Sequence, residues 1–147
     1  MNKFIFISLF FSHLAFGSDQ CTSSKNCLLE KKIETLPLSP SIQKNLNGGR
    51  LEPCSFDPMT GFTRSGYCEF LPNDRGRHLV CAEVSQDFLS YTKKQGNDLR
   101  SANLRYGFKG LVPGDRWCLC SSRVQEAMRA GIELTIINEA TNAKAWD

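Results

Sequence analysis

The stretch HLVCAEVSQDFLSYTKKQGN, residues 78–97, carries two successive periodicities from which the fold class can be read. In an extended chain Leu79, Cys81 and Glu83 project to one side and Val80, Ala82 and Val84 to the other, so a strand is predicted with its wholly apolar face toward the core. Ser85 then offers an N-cap hydroxyl, Asp87 an acid for the first turn, Lys93 and Lys94 bases for the last, and Gly96-Asn97 a stop. A helix is predicted there, with Phe88, Tyr91 and Thr92 on its inner stripe. Residues 114–131, GDRWCLCSSRVQEAMRAG, repeat the order: an extended piece over 116–120, then a helix with Ser122 and Gln125 as a capping box, Val124 and Met128 facing inward and Gly131 at its end.

Working outward, residues 134–137 are apolar in near succession and predict a strand central in its sheet. Thr141 is placed to cap a short terminal helix. Upstream, Pro53, Pro58, Gly61, Gly66, Pro72, Asn73 and Gly76 break residues 51–77 into turns and exclude a long helix. Residues 97–115 form a long polar loop, and loops of that length in small domains tend to carry function. The fold class expected is α+β: a small single domain with a short β-sheet, two or three helices and long ordered loops. Before it, residues 18–49 form an N-terminal extension with a short amphipathic helix over 27–36, stopped by Pro37 and Pro40, and Asn47-Gly48-Gly49 forms a joint. The main α+β domain is expected over residues 50–147.

Residues 1–17 have a different character. Lys3 is their one charge, Phe4, Phe6, Phe10, Phe11 and Phe16 supply half of the ten phenylalanines of the chain, and Ala15 and Gly17 stand at the third and first positions before a cut. This is the pattern of a secretory signal peptide, too short for a membrane span. Asp19-Gln20 ahead of Cys21 argue against a lipoprotein anchor. The chain is expected to be exported, periplasmic or secreted, with no stable membrane anchor. With 18 Lys and Arg against 15 Asp and Glu the net charge is only +3, and loss of Lys3 lowers it by one, which excludes a strongly basic nucleic-acid binder. Partners are expected to be another protein or a small molecule. Seven cysteines, Cys21, Cys27, Cys54, Cys68, Cys81, Cys118 and Cys120, are all disulfide candidates in an oxidising compartment. Because seven is odd, at least one thiol stays free, pairs with another molecule or does chemistry.

Cys118 and Cys120 project to the same face of an extended chain just ahead of a helix N-terminus, where the positive end of the helix favours a thiolate. They are candidates for a reactive thiol or, alternatively, for disulfides to distant cysteines. His78, the one histidine beyond the signal, makes a base for such a thiol, with Asp98 or Asp115 as its orienting acid. The same histidine with Cys81, Cys118 and Cys120 would complete a Cys₃His zinc site, although Cys-x-x-Cys pairs are absent. No other cofactor is suggested. Asp57 and Asp74 stand in turns, where a carboxylate ordinarily bonds neighbouring backbone. Arg75 and Arg77 around Gly76 are a weak anion-binding signal. No phosphate-binding loop, nucleophile elbow, metalloprotease helix or dinucleotide fingerprint is present.

The stretches LEPCSFDPMTGF (51–62), GNDL (96–99), and GF, GL and PGDRWCLC between 107 and 120 resemble bacterial domain of unknown function family 2237. The likeness runs from about Gly49 to Ala145 and takes in VCA (80–82), QEA (125–127) and EAT (139–141). The resemblance implies no assigned activity. It also implies a family made largely of small proteins without an export signal, from which residues 1–49 depart. On that basis the five domain cysteines need not have arisen as disulfides, and metal binding, a catalytic thiol or simple burial gains weight. Cys21 and Cys27 then become the safest disulfide pair. The first expectation is an exported, disulfide-stabilised binding or interaction module. The alternative is a thiol-dependent enzyme or redox protein centred on Cys118 and Cys120, and a zinc-binding domain is third.

Overall fold

The computed structural model of the chain describes residues 42–147. The signal over 1–17, the helix over 27–36 and the Cys21 and Cys27 thiols lie outside the described residues.

Strand β1, Val80–Glu83, is the middle of a three-stranded antiparallel sheet, flanked by β2, Arg116–Leu119, and β3, Thr135–Ile136. Helices α1, Gln86–Lys94, and α2, Ser121–Arg129, follow β1 and β2 respectively, so the domain is α+β. Helix α1 starts where Ser85 caps it: the Ser85 hydroxyl accepts from the Phe88 amide at 3.1 Å.

The register sets Val80 opposite Leu119, Cys81 opposite Cys118 and Ala82 opposite Trp117. Opposed residues share a face of a sheet. Val80, Ala82, Trp117 and Leu119 therefore lie together, under Phe88 and Leu89 of α1 and Val124 and Ala127 of α2. Cys81 and Cys118 lie on the other face, clustered with Cys54, Cys68 and Ala140. The expectation of one buried face is corrected, because Cys81 is as fully buried as Val80. The turns of residues 51–77 lie over the second face, fastened by disulfides Cys54–Cys81 and Cys68–Cys118, with Cα separations of 5.6 and 5.2 Å. Buried Thr60 adds a hydrogen bond there, its hydroxyl accepting from the Cys118 amide at 2.8 Å.

This two-sided burial explains three further departures. The strand over 134–137 is an edge of the sheet, not its centre. Its apolar residues run in succession because they serve both clusters, Leu134 and Ile136 packing on the helix side and Ile137 on the cysteine side. Thr141 follows a single 3₁₀ turn, Asn138–Ala140, and caps no helix. Its buried hydroxyl accepts from the Cys81 amide at 3.0 Å and donates to the Ile137 carbonyl at 2.8 Å. Helix α2 begins one residue before the expected capping box, with Cys120 at the N-cap and Val124 and Ala127 inward, which leaves Met128 54 % exposed.

Asn47-Gly48-Gly49 forms a turn between bridged Lys44 and Arg50. The Asn45 amide donates to the Arg50 and Glu139 carbonyls at 2.8 and 3.1 Å, so residues 42–50 pack on the end of the chain.

Candidate functional site

Asp74 closes a turn, and its side chain is 1 % exposed. One of its oxygens accepts from the His78 backbone amide and the other meets His78 Nδ1, both at 2.8 Å. This double contact leaves Nε2 as the ring nitrogen open to other groups. The imidazole is held from both sides. Phe62 stacks on it at 6.0 Å between ring centroids, and Gly76 lies so close beneath that a Cβ there would come within 2.5 Å of the ring. Glycine is required at 76 for that approach.

The turn is also tied to the start of α2. The Arg77 carbonyl accepts the Ser121 amide at 3.0 Å and the Ser121 hydroxyl at 3.2 Å. That pins the residue before His78 to the residue after Cys120, and the thiol and imidazole meet as a result. Among the described residues Cys120 is the free cysteine, half-buried, with its sulfur unused as a helix cap. Hydrogen bonding with the Cys120 sulfur is the largest influence on His78; partial burial opposes it, and the charge of Cys120 and the bond to Asp74 add to it. The imidazole pKa is raised from 6.5 to about 9. The outcome is a line of carboxylate, imidazole and thiol at a helix N-terminus.

The structure places the other expected site residues elsewhere. Cys118 is oxidised with Cys68 and Cys81 with Cys54, so neither thiol joins Cys120 and His78, and the zinc set of His78, Cys81, Cys118 and Cys120 is not assembled. Among the described residues, the metal-capable group with sulfurs within 4.8 Å of one another is Cys54, Cys68 and Cys118, all of them disulfide-bonded. A disulfide offers no thiolate to a metal. Asp98 lies in the wall of the cleft beside His78, but it is taken by Lys93 at 3.0 Å and the Ser101 hydroxyl at 2.8 Å. The Lys93 bond, then the bonds from Ser101 and Arg100, hold its carboxyl well below the usual range. Asp115 caps its own turn, accepting from the Val112 amide at 2.9 Å. Arg77 donates to the Lys144 carbonyl, so it is not offered to an anion.

Asp74 is the residue that sequence reasoning passed over in assigning chemistry. Its signal is the Asp-x-Gly-x-His spacing of residues 74–78, where a tight turn brings a carboxylate onto an imidazole four residues on.

The imidazole opens onto a cleft of about 440 Å³ walled by Phe62, Arg64, Phe108 and Trp117 among others. A second cavity of about 420 Å³ lies beyond it and shares Arg64, Tyr106, Phe108 and Trp117. The chain is thus a small α+β domain in which Asp74, His78 and Cys120 stand together, with His78 in the wall of the cleft. The family model described as "Uncharacterized protein conserved in bacteria (DUF2237)" matches residues 44–147, and the chain belongs to that family. No curated protein matches the chain. Among the described residues no helix is long and apolar enough to cross a membrane.

Proposed function

We propose that the domain is a thiol-dependent enzyme acting on an acyl compound, with Cys120 as nucleophile, His78 as general base and then acid, and Asp74 as the group that orients His78. The observation that carries the reading is the Asp74–His78–Cys120 line, held at one end by the bonds of Asp74 to His78 and at the other by the Arg77 carbonyl, which accepts from Ser121. Proton exchange between a thiol and an adjacent imidazole yields the nucleophilic thiolate. The Cys120 sulfur would attack a carbonyl carbon and form a carbon–sulfur bond. The leaving group would depart with a proton from His78. Water, giving a proton back to His78, would then release the acyl group as a carboxylic acid and restore the thiol. The positive end of α2, next to Cys120, would favour the negative charge of a tetrahedral oxyanion.

The test is iodoacetamide labelling of the native protein read by peptide mass spectrometry. Cys120 should be alkylated below pH 7 at least about ten times faster than a simple thiol, with the rate falling on His78→Gln. A Cys120 that reacts like free glutathione in both proteins overturns the reading.

A binding module without turnover is the second reading, favoured by the exposed Phe56, Met59, Phe62 and Tyr106 around the cleft. Export is part of both readings, supported by two disulfides, which persist outside the reducing cytoplasm. Zinc enters neither, because Cys81 and Cys118, two of the four ligands of the expected set, are oxidised.

A further inference from the structure

Arg64 stands at the junction of the two cavities and belongs to the walls of both. Its guanidinium carbon lies over the Trp117 ring, 4.8 Å from the centroid, a cation–π contact that keeps the charge at the cleft wall. The ion pairs among the described residues are His78–Asp74, Lys93–Asp98, Lys109–Asp57 and Arg123–Glu126, so no carboxylate neutralises Arg64. The other charged groups facing the cleft are already paired: Asp98 by Lys93 at one end, and Lys109 with Asp57 at the other. The uncompensated charge of the cleft is therefore positive. It sits beside an aromatic wall, in which Phe108 lies 5.3 Å from Trp117.

The backbone at this position is unusual as well. Arg64 has φ of +59°, a left-handed conformation that residues with side chains rarely adopt. It is set by a turn in which the Arg64 amide donates to the Gly61 carbonyl at 3.1 Å. Gly61 itself is locked, since a Cβ there would come within 2.5 Å of the Tyr67 carbonyl oxygen. Such conformations concentrate at ligand-binding positions, where the aim of one side chain matters more than local ease.

From these observations we infer that the cleft beside His78 takes an acyl compound bearing a carboxylate next to a planar apolar group, the carboxylate engaging Arg64 and the apolar group lying along Phe108 and Tyr106. The inference rests on Cys120 being the nucleophile of that same site. A planar guanidinium whose two donor edges are free matches a carboxylate in bidentate fashion. Volumes of about 440 and 420 Å³ suit a small molecule rather than a folded partner.

The test uses 3-phenylpropionate and its neutral amide as probes, titrated into the full processed protein carrying Trp146→Phe, so that Trp117 is the sole fluorescent reporter. The acid should give a saturable change and the amide a response at least about ten times weaker. Arg64→Gln should reduce the affinity for the acid to that of the amide, and Arg64→Lys should recover part of it. Equal binding of acid and amide, or unaltered acid binding in Arg64→Gln, overturns the inference, as does the absence of any saturable response. Iodoacetamide kinetics of the unmutated protein report on Cys120 separately. A slow Cys120 together with selective acid binding sinks the catalytic reading and leaves Arg64 as an anion site; a fast Cys120 with no selectivity does the reverse.

Discussion

Replacement of Cys120 by alanine should bring the His78 pKa back toward 6.5. In the intact site it is raised to about 9, with the bond to Cys120 as the largest cause and Asp74 contributing less. The shift of about 2.5 pH units corresponds to a ceiling of about 3 kcal/mol. The third of the His78 side chain that faces solvent lowers that to ~1–2 kcal/mol. The sign follows from the direction of the shift. A group whose folded pKa is raised adds stability that is full below 6.5 and is lost as pH rises through 9. Stability of the native protein should therefore decline between pH 6.5 and 9, and that slope should flatten in Cys120→Ala. Histidine proton NMR is the direct assay. His78 is the single histidine beyond residue 17, so one titrating signal reports the whole effect. Because thiol and imidazole are coupled, the midpoint belongs to the pair. Asp74→Asn should lower it by less than Cys120→Ala does. A native midpoint near 6.5, or one still above 8 in Cys120→Ala, would refute the coupling on which the proposed chemistry depends.

Gly76→Ala should push the imidazole off its position, since the new Cβ falls 2.5 Å from the ring, and alkylation of Cys120 should slow by at least about tenfold while both disulfides persist in the intact mass. Paired serine replacement at Cys54 and Cys81, and separately at Cys68 and Cys118, opens loops with sequence separations of 27 and 50. By loop-closure entropy these cost about 3.5 and about 4 kcal/mol, read as a drop in urea stability; a change under about 1 kcal/mol would show that the crosslinks do not restrain the unfolded chain. Phe88→Ala empties the centre of the helix-side core and should cost about 3–5 kcal/mol with the alkylation rate of the folded protein unchanged. Protein recovered from the periplasm should begin at Ser18 by intact mass, and an unprocessed Met1 there would overturn the signal reading.

Local patterns were legible wherever one interaction decides a structure. The Ser85 cap, the basic last turn of α1 and the short strands at 80–83 and 116–119 were all readable from neighbours in the chain. What depends on a second layer was not. The Glu83 side of β1 reads as a solvent face, since nothing in residues 78–84 says that a turn-rich segment will be fastened over it. The same blindness put β3 at the centre of the sheet instead of its edge, and in α2 it placed Val124 inward correctly but Met128 where Ala127 belongs. At the site, the sequence pointed to His78 and Cys120 individually. Asp74 was read only as a turn residue, because the short-range role of its carboxylate and its role toward the imidazole use the same spacing. Asp98 and Asp115 attracted attention by composition, and both prove to be committed to their own loops.

Among the described residues, strand register sets which of the five cysteines stays unpaired. Cys118 and Cys120 are two residues apart, and alternation alone would give them the same surroundings. Cys118, however, is opposite Cys81 within the ladder, and there it meets Cys68 beneath the folded-over segment. Cys120 comes after the last paired residue, Leu119, at the point where the chain turns into α2. The Ser121 amide and hydroxyl, held by the Arg77 carbonyl, carry that turn away from the cysteine cluster and toward His78. One thiol is thus enclosed and oxidised, while the other stays reduced and half-exposed beside a base. The different fates of Cys118 and Cys120 follow from one geometric fact, the end of β2 at Leu119. A change that lengthened the ladder by one pair would hold Cys120 in the sheet and draw its thiol away from His78.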